Sequence, residues 1–160
     1  RRLPPHQLRQ KNGESTTSGV AQRSSGMPSS RHGIPFPTTQ ETKRVLAMPA
    51  DTNALGDIFG GWMMSQADIA GSIDAFRRAN GRVVTVAVNE FRFLKPVYVG
   101  DLISLYTHIN RVGTTSIEVA VEGFAERNRG THQCDRVCEA IITYVAIDEN
   151  RRPRPVDTVS

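Results

Sequence analysis

Ile58-Phe59-Gly60-Gly61-Trp62-Met63-Met64-Ser65-Gln66-Ala67-Asp68-Ile69-Ala70-Gly71-Ser72-Ile73-Asp74-Ala75-Phe76-Arg77-Arg78-Ala79-Asn80-Gly81 is the stretch whose reading decides the fold. Phe59, Trp62, Met63, Ile69, Ala70, Ile73 and Phe76 recur at helical spacing, and Asn80-Gly81 is a stop signal. The spacing predicts a helix from Ile58 to about Ala79, some 20 residues or on the order of 30 Å at 1.5 Å per residue. It is apolar over more than half its circumference, as a buried helix should be. Gly71 in its interior costs about 1 kcal/mol of helix propensity, which predicts that a sheet wraps closely around the helix there.

After Gly81 the apolar period changes to two. Residues 83–93, 101–111, 114–125 and 136–147 are long and rich in β-branched or aromatic side chains, the pattern of antiparallel strands. The connections at 95–100 and 112–113 are short, with a longer one at 127–135, so consecutive strands are expected to be neighbours in a meander. Ahead of the helix, residues 43–48 alternate briefly and read as a first strand that Pro49 ends. The expected fold class is therefore α+β, with a long central helix wrapped by a curved antiparallel sheet in the order β-α-β-β-β-β. Such a sheet leaves an edge or face uncovered, which predicts an obligate oligomer.

At 160 residues the chain suits one domain. Its charge is unevenly placed. Residues 1–40 hold six basic side chains against Glu14 alone, whereas residues 41–160 hold 14 basic and 15 acidic ones. A net charge of −1 on the folded part argues against a nucleic-acid surface. No stretch approaches the roughly 18 apolar residues of a membrane span, so a cytoplasmic protein without membrane partner is expected. The Pro-, Ser-, Gly- and Arg-rich residues 1–40 are expected to be a disordered tail, the domain to occupy 41–155, and 156–160 to be a second tail. The segment before Met27 reads as upstream sequence without function, or second, as an organelle transit peptide. Cys134 and Cys138 follow His132 at spacings that can be drawn as part of a metal site, but with no second pair they read as reduced structural thiols, and no metal is expected.

Chemistry concentrates at residues 53–62, Asn-Ala-Leu-Gly-Asp-Ile-Phe-Gly-Gly-Trp, which set the carboxylate of Asp57 at the mouth of the helix. Gly56, Gly60 and Gly61 let backbone approach a ligand, and first-turn amides have no partner inside the helix. An acid beside free donors suggests acyl chemistry; the competing reading is that Asp57 caps the helix. Asn53 either orients water or a carbonyl, or is a turn residue. Trp62, Met63 and Met64 either line an acyl channel or are plain core.

Several motifs in order carry a resemblance. Met48-Pro49-Ala50-Asp51-Thr52-Asn53, Gly56-Asp57-Ile58-Phe59-Gly60-Gly61-Trp62, Met64-Ser65-Gln66 with Asp68-Ile69, Gly81-Arg82-Val83-Val84-Thr85-Val86, Phe93-Leu94-Lys95-Pro96-Val97, Gly100-Asp101, Gly113-Thr114-Thr115-Ser116 and Tyr144-Val145-Ala146 closely resemble the YciA-like acyl-CoA thioesterases of the hotdog fold. The resemblance spans about residues 42–155. It implies dimers joined by sheet continuation, commonly assembled as trimers of dimers, with sites at the dimer interface. It implies acyl-CoA as substrate, no separate cofactor, and an acidic residue at the position of Asp57 that cleaves the thioester. Many relatives place the carboxylate within the helix, here at Asp68, whose other reading is a polar contact across a helix pair; Asp57 is the first choice and Asp68 the second. Backbone N–H groups of Phe59, Gly60 and Gly61 would meet the oxyanion.

CoA brings phosphates and an adenine, for which Arg82, Thr85, Lys95, Thr114, Thr115 and Ser116 are candidates, with Arg92 and Arg111 as further cations. A non-catalytic acyl-CoA-sensing module is the alternative function, although residues 1–40 supply no DNA-binding helical segment. A hotdog dehydratase would want a histidine at the helix mouth, and His6, His32, His108 and His132 all lie elsewhere.

Overall fold

The computed structural model describes residues 34–35, 41–127 and 133–157. The helix, α1 (Gly60–Ala79), has the 20 residues expected of it. It starts two residues later than predicted because the preceding backbone is already engaged: Ile58 bridges Thr52, and the Phe59 N–H donates to Asp51 O at 2.9 Å. Phe59 is the N-cap and no side chain caps the helix, so the capping reading of Asp57 is corrected. At the other end Asn80 turns left-handed with φ 49°, and the Gly81 N–H closes onto Phe76 O at 3.2 Å, a stop made by the residues that predicted it.

The face of α1 turned to the sheet consists of Met63, Ala67, Ala70, Gly71, Ala75 and Ala79. The larger apolar side chains do not share it. Ile69 is 45% and Phe76 53% exposed, so the wide apolar circumference divides into an inner stripe of small residues and an outer set of large ones. Close approach explains the division: a Cβ on Gly71 would collide with the hydroxyl of Tyr144, as the interior glycine predicted.

The sheet comprises β1 (Ile34–Pro35), β2 (Lys43–Leu46), β3 (Val83–Phe93), β4 (Leu102–Val112), β5 (Ser116–Glu126) and β6 (Gln133–Ala146), all antiparallel. The order β-α-β-β-β-β holds for β2 onward, but the expected meander is corrected. Strands run β3-β6-β5-β4-β2, so β3 and β4 are not neighbours, and β6 inserts between β5 and β3. Burial accounts for this. β6 and β5 are the most buried strands and take the middle, whereas β3 is largely exposed and takes an edge. The connection at 94–101 therefore crosses the end of the sheet beneath the start of α1, held by Leu94 N–H to Val137 O (2.8 Å), Ile58 N–H to Val97 O (2.9 Å) and Ala47 N–H to Asp101 O (3.0 Å).

Two boundaries also move. Ile34–Pro35 pair with Cys134 and Gln133 of β6, inside the segment expected to be a disordered tail; the rest of residues 1–40 lies outside the described residues. At the C-terminus, Val156 is buried in the core and donates its N–H to Thr114 O at 2.8 Å, while Asp157 pairs with Arg78 at 2.7 Å, so the domain continues to Asp157.

The close helix-sheet contact makes a direct prediction. Gly71→Ala gains helix propensity yet is expected to lower unfolding free energy by about 1–3 kcal/mol, since Tyr144 must shift. Gly61→Ala, which meets nothing within 4 Å, is expected to leave the midpoint unchanged or raise it. Urea unfolding of the two variants beside the native protein checks this.

Candidate active site

The loop before α1 is organised by Asn53. Its Oδ1 accepts the N–H of Leu55 at 2.9 Å and of Asp57 at 3.1 Å, its own N–H donates to Asp57 O at 2.7 Å, and its carbonyl accepts from Gly56 at 3.1 Å. Gly56 supplies the φ of +87° that this turn needs. Asn53 is thus a turn residue, and its Nδ2 donors meet no acceptor among the described residues.

Asp57 bridges Tyr98 through its backbone and, with Asn53, Gly60, Met63, Phe93 and Lys95, lines a cleft of about 350 Å³. The structure therefore brings Asn53, Asp57, Gly60 and Lys95 together. A Cβ on Gly60 would stand 3.0 Å from the Phe93 ring, a tight contact that the glycine avoids. The Phe59 N–H, expected among the oxyanion donors, is committed to Asp51, which corrects that part of the expectation. Gly60 and Gly61 keep theirs unengaged among the described residues, at the positive end of the helix.

Asp68 lies about 12 Å further along the axis, eight residues into α1. Thr85 Oγ1 donates to Asp68 Oδ1 at 2.6 Å, and Tyr144 Oη donates to the Asp68 carbonyl at 2.7 Å. Thr85 and Tyr144 are partners across β3 and β6, so one cross-strand pair holds this residue by side chain and backbone at once. Burial first, and the Asp68 carboxylate second, push the Tyr144 hydroxyl well up from its usual range, which keeps it a donor. Thr85, expected at CoA, addresses this carboxylate in the single chain.

The other CoA candidates do not converge within one chain. Arg82 and residues 114–116 sit at one end of β3, tied by Ile147 N–H to Arg82 O (3.0 Å) and Ala146 N–H to Thr115 O (2.9 Å). Lys95 sits at the other end, roughly 35 Å away along an 11-residue strand, and is ion-paired to Asp135 at 2.9 Å.

Sequence reasoning missed the role of Asp101, which is 1% exposed. It accepts from Arg127 Nε at 3.0 Å, from a second Arg127 nitrogen at 2.9 Å and from the Tyr98 N–H at 3.0 Å, while the Arg127 guanidinium lies 4.6 Å over the Tyr98 ring. This pins the segment that walls the Asp57 cleft. Gly100-Asp101 was visible as a motif, but its partner lies 26 residues away and nothing local pointed to it.

Cys134 and Cys138 are buried and form no disulfide; burial pushes their thiols up to about 11 and about 12, values of structural rather than nucleophilic groups. His132, the third member of the possible metal cluster, lies outside the described residues.

Comparison with known proteins agrees with this geometry. Residues 55–131 match the Thioesterase superfamily. The acyl-CoA thioester hydrolase YciA of Salmonella typhimurium is 50% identical over 115 residues, covering 71% of this chain and 86% of that protein. A hexameric thioesterase from Yersinia pestis superposes with a TM-score of 0.70 at 47% identity, over 78% of this chain and all of the other. An acyl-CoA hydrolase from Staphylococcus aureus, solved as an aspartate-to-alanine mutant, gives a TM-score of 0.66 at 29% identity, over 71% of this chain and 69% of that one. A long helix on a curled antiparallel sheet with this strand order is the hotdog fold, and the family match places it in the thioesterase class. Within that class, the chain belongs to the YciA-like acyl-CoA thioester hydrolase family. Among the described residues no helix is long and apolar enough to cross a membrane.

Two outcomes follow. Asp101→Asn, nearly isosteric but uncharged, is expected to lower unfolding free energy by about 1.5–3 kcal/mol, read from the urea midpoint at constant slope. Native protein at pH 8 should leave both cysteines unalkylated by iodoacetamide over a time in which unfolded protein reacts at both, as mass spectrometry would count.

Proposed function

We propose that the protein hydrolyses acyl-CoA thioesters to the free carboxylic acid and CoA, with Asp68 as the carboxylate that activates water and the Gly60 and Gly61 N–H groups as donors to the carbonyl oxygen. The observation that carries the choice of Asp68 is its fixed carboxylate. Thr85 holds Oδ1, leaving Oδ2 to take a proton from water, and the surrounding face of α1 is uncovered in the single chain.

A relative supports it. The Staphylococcus aureus acyl-CoA hydrolase was solved as an aspartate mutant and as an asparagine mutant, at positions fifteen residues apart. Asn53 and Asp68 are the one pair in this sequence in which an asparagine precedes an aspartate by fifteen residues, the order in that relative.

Water attacks the carbonyl carbon as Asp68 takes its proton. The oxyanion rests on backbone donors, and the C–S bond then breaks with the proton passing from Asp68 to the CoA sulfur. Donors and carboxylate lie apart in one chain, and a second chain brings them together. Antiparallel pairing of two β3 edges about Val88 would set Thr85 of one subunit opposite residue 91 of the other, so that Asp68 approaches the partner's Gly60. The exposed Val86, Val88, Phe93 and Ile69 would be covered in such a dimer. The Yersinia pestis relative is hexameric, and a trimer of such dimers is the assembly proposed here. Reduced thiols fit work in the cytoplasm.

Asp57 is the second reading, favoured by its place in the cleft with Asn53 and Gly60. Thiol release from a chain-length panel of acyl-CoAs, run on native protein, Asp68→Ala and Asp57→Ala, decides. Asp68→Ala is expected to lose about 100-fold or more in kcat with an unchanged melting midpoint, and Asp57→Ala less than about tenfold. The reverse ranking gives the catalytic role to Asp57. Saturable acyl-CoA binding without turnover in the native protein makes the domain a sensing module.

A further inference from the structure

We propose that the trough between the last turns of α1 and the start of β3 receives the phosphorylated adenosine end of CoA, with Arg77 and Arg151 joining Arg82 to select the 3′-phosphate. The inference rests on acyl-CoA being the substrate. A cleft of about 670 Å³ opens there, within the range of roughly 300–1,000 Å³ typical of ligand sites. Arg77, Arg82 and Arg151 all line it, no acidic residue does, and none of the three guanidiniums has a partner among the described residues. By contrast, Arg44, Arg78, Arg92, Arg127 and Arg136 each hold a carboxylate. Three like charges facing one cavity without an anion repel one another, and the arrangement is relieved by a polyanion that accepts from several forks at once.

The three arginines come from separate elements that the fold fixes independently. Arg77 is in the last turn of α1 and Arg82 precedes β3 by one residue. Arg151 stands in a turn with φ 62°, held by its N–H to Asp148 O (3.0 Å) and by Asp148 Oδ1, which accepts from the Asn150 and Arg152 N–H groups, each at 2.9 Å. The floor between them is apolar. Phe76, half exposed, offers a ring face and Ile73 lies one turn away, a platform for a purine below a cationic rim.

The trough also leads to the reacting centre. Ser72, on its wall, is one turn beyond Asp68 on the same helix face, and Val83 is two residues from Thr85 on the same strand face. Arg77 lies nine residues past Asp68, about 14 Å along the axis, the stretch a pantetheine arm has to bridge between thioester and diphosphate. Lys95, engaged with Asp135 at the far end of β3, is not needed for this end of the ligand.

The test carries one acyl group on CoA, on 3′-dephospho-CoA and on pantetheine, hydrolysed by native protein and by Arg77→Gln/Arg151→Gln. Both side chains are exposed and without a partner among the described residues, so the variant should melt as the native protein does. Expected are a KM raised about tenfold for the CoA ester in the variant, kcat within about twofold, and an unchanged KM for the pantetheine ester. Native protein should prefer the CoA ester to its dephospho form, and adenosine 3′,5′-bisphosphate should inhibit competitively in native protein and weakly in the variant. An unchanged KM for the CoA ester in the variant overturns the proposal, as does inhibition not competitive with the ester, which would make the cleft an effector site. If native protein hydrolyses none of the esters, the hydrolase reading fails. Calorimetric binding of adenosine 3′,5′-bisphosphate that requires Arg77 and Arg151 would then still stand for the site.

Discussion

The contact between Gly71 and Tyr144 is the constraint on which the rest of the structure depends. With no side chain at Gly71, β6 comes close enough for the Tyr144 hydroxyl to reach the backbone carbonyl of Asp68 three residues earlier on the helix. That bond sets both the rotation and the height of α1 over the sheet. Because Tyr144 is paired with Thr85 across the strands, the same setting delivers the Thr85 hydroxyl to the Asp68 carboxylate. Packing and site geometry are thus one arrangement, and a helix displaced by a methyl group would lose both.

The small-residue stripe has a second consequence. A helix that gives its alanines and glycine to the sheet keeps Ile69 and Phe76 for the outside, next to a β3 edge whose Val86, Val88 and Phe93 are also exposed. An exposed strand edge beside large apolar side chains is a surface that seeks another strand. In a single chain the unengaged amides at the start of α1 and the Asp68 carboxylate are separated by more than two helical turns. The dimer proposed above, joined across β3, would answer both the uncovered surface and this separation.

What the sequence made legible follows from the range of each interaction. The helix, its stop at Asn80-Gly81 and the tight approach at Gly71 are written in neighbouring residues and were readable. The strand spans were readable from their period of two. Strand order was not, because the insertion of β6 between β5 and β3 depends on the relative burial of strands that are far apart in the chain. The orientation of the helix was misread for a related reason: apolarity ranked Ile69 and Phe76 as core, whereas steric room at the sheet favoured alanine. Asn53, Asp57 and Asp68 were all visible as candidates. The hydroxyls that hold Asp68 and the ion pair that anchors Asp101 were not, since Thr85, Tyr144 and Arg127 meet their partners only after the sheet closes.

Charge illustrates how a sum hides a site. Residues 41–160 carry a net of −1, which counts against a broad basic surface, yet the carboxylates are not spread evenly. Asp101, Asp135, Glu139 and Asp157 are spent on Arg127, Lys95, Arg136 and Arg78. Arg77, Arg82 and Arg151 are left facing one cleft. A near-neutral domain can therefore present a concentrated positive field over a few ångströms, suited to a small polyanion and too local for a long one. The nature of the ligand is decided by which arginines the fold leaves unpaired, and that is a property of the tertiary structure rather than of composition.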